Sequence, residues 1–182
     1  LAIRWLKRFV CDSIRDYRDA LEQQPGEPTG KRIAIVGAGP SGVSLAYFLR
    51  LIGHDVAVFD EREAGGGIIR TGPPRYRLPA ESIEKDVENI ASLGVDFRYN
   101  TRVGREVSFQ DLMESFDAVF LGIGCTVSRS TRVENADRCA LALSFLERNK
   151  TDEMTQVTSD VIVIGGGNVA MDVAREALRL QH

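Results

Sequence analysis

Two stretches of the chain carry the same pattern: four apolar residues in a row, a glycine-rich turn, then apolar positions at helical spacing. In the first, Ile33-Ala34-Ile35-Val36 runs into Gly37-Ala38-Gly39-Pro40-Ser41-Gly42. In the second, Val161-Ile162-Val163-Ile164 runs into Gly165-Gly166-Gly167-Asn168-Val169-Ala170. A short apolar run bounded by glycine reads as a strand buried on both faces. The pattern predicts a strand over 33–36, a helix from Pro40 to Leu51 (packed face Val43, Ala46, Tyr47, Leu51) and a strand over 56–59. It predicts a second strand over 161–164 and a helix through Val173, Ala174, Ala177, Leu178 and Leu180. Elsewhere it predicts an amphipathic helix over 3–22 (Leu6, Val10, Ile14, Tyr17, Leu21), with Arg15/Asp19 and Arg18/Glu22 as opposite charges at i,i+4. A turn-rich linker over Pro25–Gly30 follows it. Further on come a helix from Ala80 to Leu93, a strand over 95–99, a short helix over 109–114 and a strand through Val119 and Leu121 into Gly122. A polar stretch over 125–137, a helix over 138–147 and a linker over 149–159 complete the order.

Strand, glycine turn and helix in this order point to chemistry. In Gly37-x-Gly39-x-x-Gly42 the first glycine permits the tight turn, the second lets backbone approach a pyrophosphate, and the third lets helix pack on strand. The helix start offers free N–H groups and partial positive charge to that anion, here over Pro40 and Ser41. Asp60 closes the following strand, 18 residues after Gly42. A carboxylate there can accept from both ribose hydroxyls of an adenosine and repels a 2′-phosphate, so the first site suits FAD or NAD better than NADP. A helix-capping or turn Asp is the plainer alternative. The Gly- and Arg-dense stretch 61–79 reads as a loop lining the cofactor, against a plain flexible loop. The second copy ends in Ala170, a regular variant often met in NADP sites. Two copies imply two dinucleotide sites. The fold class is therefore α/β: a Rossmann-type domain followed by the start of a second one and preceded by a helix. The expected division is 1–30 as helix and linker, 31–158 as the first nucleotide domain with its connecting segment, and 159–182 as the start of the second.

Composition narrows the classes. The 182 residues carry a net charge of −3, with 43% hydrophobic and 27% charged residues, and show no basic stripe, which argues against nucleic acid. Arg4, Lys7 and Arg8 read as a solvated helix face. No apolar run has the length of a membrane span, so no membrane insertion is expected. Cys11, Cys125 and Cys139 are too far apart for a disulfide framework or a metal site, and reduced thiols in a cytoplasmic protein are the expectation. His54 falls in a helix–strand turn and reads as a turn residue. The chain starts at Leu1 and stops at His182 within a helical pattern, so it reads as a piece of something larger.

The whole resembles the two-dinucleotide flavoprotein module of the glutamate synthase small-subunit family and the flavin half of dihydropyrimidine dehydrogenase. The resemblance rests on Arg4-x-x-Lys7-Arg8-Phe9-Val10, on Val36 to Gly42, and on Gly66-Gly67-Ile68-Ile69-Arg70 with Arg75-Tyr76-Arg77-Leu78-Pro79. It continues through Asn100 to Gly104 and Phe116 to Val119, and closes with Gly165 to Arg175. It implies FAD at the first site and NADPH, less often NADH, at the second. It also implies 4Fe-4S clusters in the parent chain, not ligated by this segment, and an electron-accepting partner subunit or domain. Carried over by position, Gly37, Gly39, Pro40, Ser41 and Gly42 face the FAD pyrophosphate, Asp60 the ribose, and Gly67, Ile68 and Arg77 the flavin. Gly165, Gly166, Gly167, Asn168 and Val169 would hold the nicotinamide dinucleotide. Asp60 stands where Glu is usual, Thr71 and Pro73 replace Tyr and Ile, and Gly122-Ile123-Gly124 replaces Ala-Thr-Gly. The implied activity is NAD(P)H-dependent flavoprotein oxidoreduction with no catalytic acid or base, and weak or absent turnover by this segment alone. A non-catalytic dinucleotide-binding or regulatory module is the alternative.

Overall fold

The structure, a computed structural model, describes residues 2–16, 20, 24–125, 134–151, 156–158 and 160–181. It divides into two compact units, one formed by 1–66 with 84–123 and the other by 67–83 with 124–182.

The first unit is built on a parallel sheet of four strands: β1 (Arg32–Val36), β2 (Asp55–Phe59), β3 (Asp96–Arg98) and β4 (Ala118–Leu121), in the order β3-β2-β1-β4. This is one half of a Rossmann sheet. The order reverses at β1, so the carboxyl ends of β1 and β4 flank the crevice where such sheets take ligands. Side chains alternate across the strands, and each face of the sheet has its own core. Ile35, Val58 and Val56 pack with Ala46 of α2 (Pro40–Leu51) on one face, with Ile90 of α4 (Ala80–Ala91) against them. Ala34, Val36, Ala57 and Phe59 pack with Leu112 of α5 (Phe109–Ser115) on the other. Ser108 caps α5 by accepting the Asp111 N–H while the Asp111 carboxylate accepts the Ser108 N–H, which satisfies donors a helix start otherwise leaves open.

The helix expected over 3–22 is shorter than its periodicity implies. α1 spans Ile3–Ser13, and Ile14 is already extended. Ser13 Oγ donates back to the Phe9 carbonyl at 2.7 Å, a side-chain bond that favours helix ends. Lys85 Nζ then donates to the carbonyls of Cys11 and Ile14, and Asn89 to that of Arg15. These residues from α4 satisfy carbonyls the helix end leaves open. Ala20 is helical again, and residues 17–19 and 21–22, on which most of the rest of the expected helix falls, lie outside the described residues.

The second unit holds α3 (Ile68–Thr71), α6 (Ala142–Lys150) and α7 (Asn168–Arg179). Leu146 of α6 is buried, as are Val173 and Ala177 of α7. Thr71 of α3 is buried as well. The helix expected over 138–147 is displaced, because Ala136–Arg138 forms a 3-10 turn and Leu141, in extended conformation, caps α6. The strand expected over 161–164 does not form: these residues join no ladder among the described residues, and Ile162 is 90% exposed. A strand is defined by a hydrogen-bonding neighbour, and apolar sequence alone does not supply one.

Candidate dinucleotide sites

At the carboxyl end of β1 the chain turns at Gly37, whose φ of +106° is open to glycine and strained for other residues. Its N–H donates to the Phe59 carbonyl at 2.7 Å, and the Gly122 N–H donates to the Val36 carbonyl at 2.7 Å. β2 and β4 therefore hold the turn from both sides. A Cβ on Gly37 would collide with the Gly122 carbonyl, and one on Gly42 with the Gly37 carbonyl. Gly39 then starts α2 as its N-cap, with φ −76° and ψ −179°, and no side chain caps the helix. Pro40 has no N–H to offer, so Ser41 and Gly42 present the first free amides of the helix. No acidic residue lies in the first turn. Within α2's own first turn no acidic side chain competes with an anionic ligand.

Asp60 follows β2 directly, and its carboxylate reaches into the turn. It accepts the Ala38 N–H at 2.6 Å and the Arg62 N–H at 2.9 Å. Ala38 is held by its carbonyl too, which accepts the Gly66 N–H at 2.8 Å. A carboxylate offers about four lone-pair positions, so two protein bonds leave room for ribose hydroxyls. Beside Asp60 lies a shallow polar depression of about 360 Å³ lined by Glu61, Arg62, Asn100, Arg102, Arg105 and Glu106. Its charges are mixed, with Arg102 beside Glu61 at 3.5 Å and Arg105 beside Glu106 at 3.3 Å.

In the second unit Gly165 has φ +123°, and Gly167 starts α7 as N-cap with φ −80° and ψ 177°. The backbone repeats that of Gly37 and Gly39. As at the first turn, no side chain caps the helix and its first turn has no acid. Gly166, Asn168 and Val169 are exposed around it. A Cβ on Gly166 or Gly167 would meet nothing within 4 Å, in contrast to the crowding at Gly37 and Gly42.

The structure thus gathers Gly37, Gly39, Pro40, Ser41, Gly42 and Asp60 in the first unit, and Gly165, Gly166, Gly167, Asn168 and Val169 in the second. Gly67, Ile68 and Arg77 fall with the second unit. Arg77 Nε lies 2.9 Å from an Asp172 carboxylate oxygen, and the Tyr76 hydroxyl donates to the same oxygen at 3.3 Å. The Arg179 guanidinium stands 4.4 Å over the Tyr76 ring. Lys150 Nζ donates to the Pro73 carbonyl at 2.8 Å, with those of Leu78 and Ile69 at 3.4 and 3.5 Å, and Arg75 donates to the Lys150 carbonyl at 2.7 Å. Burial, and after it the Arg70 and Arg75 charges, push the Lys150 ammonium below its ordinary value. Asn149 donates to Glu176, which is buried like Asp172. Glu176 and Lys150 carry no motif that marks them, and Asp172 falls within the run Gly165 to Arg175 without a role assigned from sequence. The available signal is the i,i+4 pair Asp172/Glu176 beside Val173 and Ala177, two acids on the apolar face of a helix.

The glycine cradle in the first unit has the form that takes a pyrophosphate. The chain is 38% identical over 181 residues to NADPH-Fe(3+) oxidoreductase subunit beta of Geobacter sulfurreducens, covering 96% of this chain and 27% of that one. It is 34% identical to the glutamate synthase [NADPH] small chain of Escherichia coli K12, covering 96% of this chain and 40% of that one. It therefore spans well under half the length of these relatives. Among solved structures, FprA of Mycobacterium tuberculosis in complex with NADPH superposes with a TM-score of 0.68 at 28% identity, over 82% of this chain and 36% of that one. Among the described residues no helix is long and apolar enough to cross a membrane. The family model for pyridine nucleotide-disulphide oxidoreductases matches residues 31–182, and the chain belongs to that family.

Proposed function

We propose that this chain carries the two nucleotide-holding turns of an NAD(P)H-dependent flavoprotein oxidoreductase, with FAD at Gly37–Gly42 and NADPH or NADH at Gly165–Val169. Bound there, the two cofactors supply hydride transfer from a nicotinamide to a flavin. The observation that carries this reading is the repeat of one backbone device: two 12-residue helices, each started by an uncapped glycine in extended conformation after a glycine of positive φ. Two such helix starts give two anion sites of the kind a pyrophosphate takes.

The chain's own contribution is to bind and orient. Ser41 and Gly42 amides face one pyrophosphate, and the amides of Asn168 and Val169 face the other. Asp60 takes a ribose through its remaining lone pairs while holding Ala38 in place. Gly67, Ile68 and Arg77 would line the flavin side, as the family resemblance implies. The electrons would go on to a partner subunit, in keeping with the names of relatives that are themselves subunits: NADPH-Fe(3+) oxidoreductase subunit beta, NADP(+)-dependent formate dehydrogenase subunit beta, glutamate synthase small chain. Iron–sulfur clusters as the route are what the family resemblance implies.

The test is purification of the full-length gene product. A yellow protein whose flavin absorbance is bleached anaerobically by NADPH or NADH bears the proposal out. A protein that stays colourless after reconstitution with FAD, or whose flavin neither dinucleotide reduces, overturns it.

A further inference from the structure

Buried carboxylates need partners, because burial disfavours the charged form unless opposite charge or hydrogen bonds compensate it. Asp172 lies one turn into α7, five residues past the glycine that starts it, with its side chain 12% exposed. Its partners come from far away in sequence: Arg77 at 2.9 Å and the Tyr76 hydroxyl at 3.3 Å. Both belong to the segment 67–83. That segment continues covalently from Gly66, whose N–H is bonded to the Ala38 carbonyl within the first glycine turn. The stretch thus follows in sequence directly on a residue bonded to the first turn, and its own body is tied to α7.

The rest of the segment has little internal support. α3 has four residues, and beyond it the Arg77 and Leu78 amides both donate to the Pro74 carbonyl, at 2.9 and 3.1 Å. Short helices of this kind do not persist by themselves. Side-chain partners outside the segment help to hold it, and among the described residues Asp172, Lys150 and Arg179 supply such partners.

We propose that Asp172 is a positioning residue: through Arg77 and Tyr76 it holds the segment 67–83 on α7, so that a dinucleotide binding at the Gly165–Gly167 turn also orders the segment leading back to the first turn. The coupling to a dinucleotide rests on the reading of the second turn given above, whereas the hold on the segment does not. The ligand at the turn touches α7 at its start, Asp172 stands on that same helix, and an α-helix transmits a shift of its end as a rigid element. Arg77 is the geometric link, since its planar fork matches a carboxylate in a way a lysine would not.

The amides of Arg77 and Leu78 are the reporters, followed by hydrogen exchange in the full-length gene product. Asp172→Asn keeps size and one acceptor but removes the charge. It is expected to speed exchange at both amides about tenfold, the scale of a hydrogen bond to a charged group. Arg77→Gln should do the same, and the double variant should be no faster than either single one, since both remove one interaction. Tyr76→Phe, which removes only the longer contact, gives a smaller change and covers the case in which Asp172→Asn fails to fold. Unchanged exchange in Asp172→Asn, or additive effects in the double variant, overturns the hold. With NADPH added, exchange at these amides should slow in the wild type and not in Asp172→Asn. Equal slowing in both overturns the coupling. If NADPH does not bind the wild type at all, the reading of the second turn falls with the coupling, and the exchange rates without ligand still decide the hold.

Discussion

Asp60 and Ala38 form a closed pair: the carboxylate at the end of β2 accepts the backbone N–H in the middle of the first glycine turn at 2.6 Å. The residue expected to meet a ribose therefore also shapes the turn expected to meet the pyrophosphate. Asp60→Ala leaves the Ala38 and Arg62 amides without their carboxylate partner. The expected outcome is a loss of about 1–3 kcal/mol in unfolding stability even without cofactor, the scale of losing a charged partner at partly buried amides. Denaturant unfolding of the cofactor-stripped protein checks it. A loss of FAD retention with no loss of apoprotein stability would show that Asp60 acts on ligand alone.

Lys150 is placed to hold the segment 67–83 from the α6 side. Its ammonium is near three carbonyls, the closest that of Pro73 at 2.8 Å. Lys150→Met keeps length and removes the donor. Relief of the ammonium's burial cost, and after it of repulsion from Arg70 and Arg75, works in the variant's favour, but the charge-assisted bond to the Pro73 carbonyl at 2.8 Å outweighs them. The expected net cost is about 1–2 kcal/mol, read by thermal unfolding. Trypsin should also cleave faster after Arg70 and Arg75.

A pH dependence follows from the pair at the amino ends of β1 and β4. Asp117 accepts the Arg32 N–H at 2.9 Å and Lys31 Nζ at 2.8 Å. The Arg32 backbone bond first, then the Lys31 bond, lower the carboxyl below its ordinary 3.8, and Asp117 raises Lys31 above 10.5. The depressed acid stabilises the fold at pH above 3.8 and loses that effect as pH falls through its folded value. The raised lysine stabilises below 10.5 and loses the effect as pH rises past its folded value. Asp117→Asn should thus be less stable than wild type near neutrality, with the gap closing as pH falls below 3.8 and through the depressed folded value. Paired denaturation curves across that range check it, and a gap independent of pH would refute the assignment.

What could be read from sequence follows how local the cause is. β1, β2 and α2 match their expected ranges because apolar run, glycine turn and helical spacing lie within about thirty residues and agree with one another. The end of α1 at Ser13 was hidden, since Lys85 and Asn89 supply partners from more than seventy residues away. The run 161–164 has strand composition and no neighbour, and pairing is a property of two segments. In the first site the glycines and Asp60 were legible as types in a spacing. That Asp60 grips Ala38, and that Arg77 meets Asp172 rather than standing free, depends on chain reversals that no local pattern encodes.

Gly37 and Gly167 separate what a glycine does for the fold from what it does for a ligand. Both belong to a glycine turn at the start of a long helix, yet their surroundings differ. At Gly37 a Cβ collides with the Gly122 carbonyl and φ is +106°. Gly37→Ala should therefore destabilise the first unit by about 1–3 kcal/mol, the cost of strain at a special φ plus overpacking. At Gly167, the N-cap of α7, a Cβ meets nothing within 4 Å. Gly167→Ala should cost about 1 kcal/mol or less, the scale of an N-cap change. The same methyl would stand where a pyrophosphate must approach backbone, so dinucleotide affinity should fall about tenfold or more, by the cost of a misplaced phosphate contact. Calorimetric titration of NADPH and NADH beside denaturant unfolding of both variants decides the matter. If Gly167→Ala binds as wild type does, then no phosphate approaches that residue, and the second turn loses its assignment.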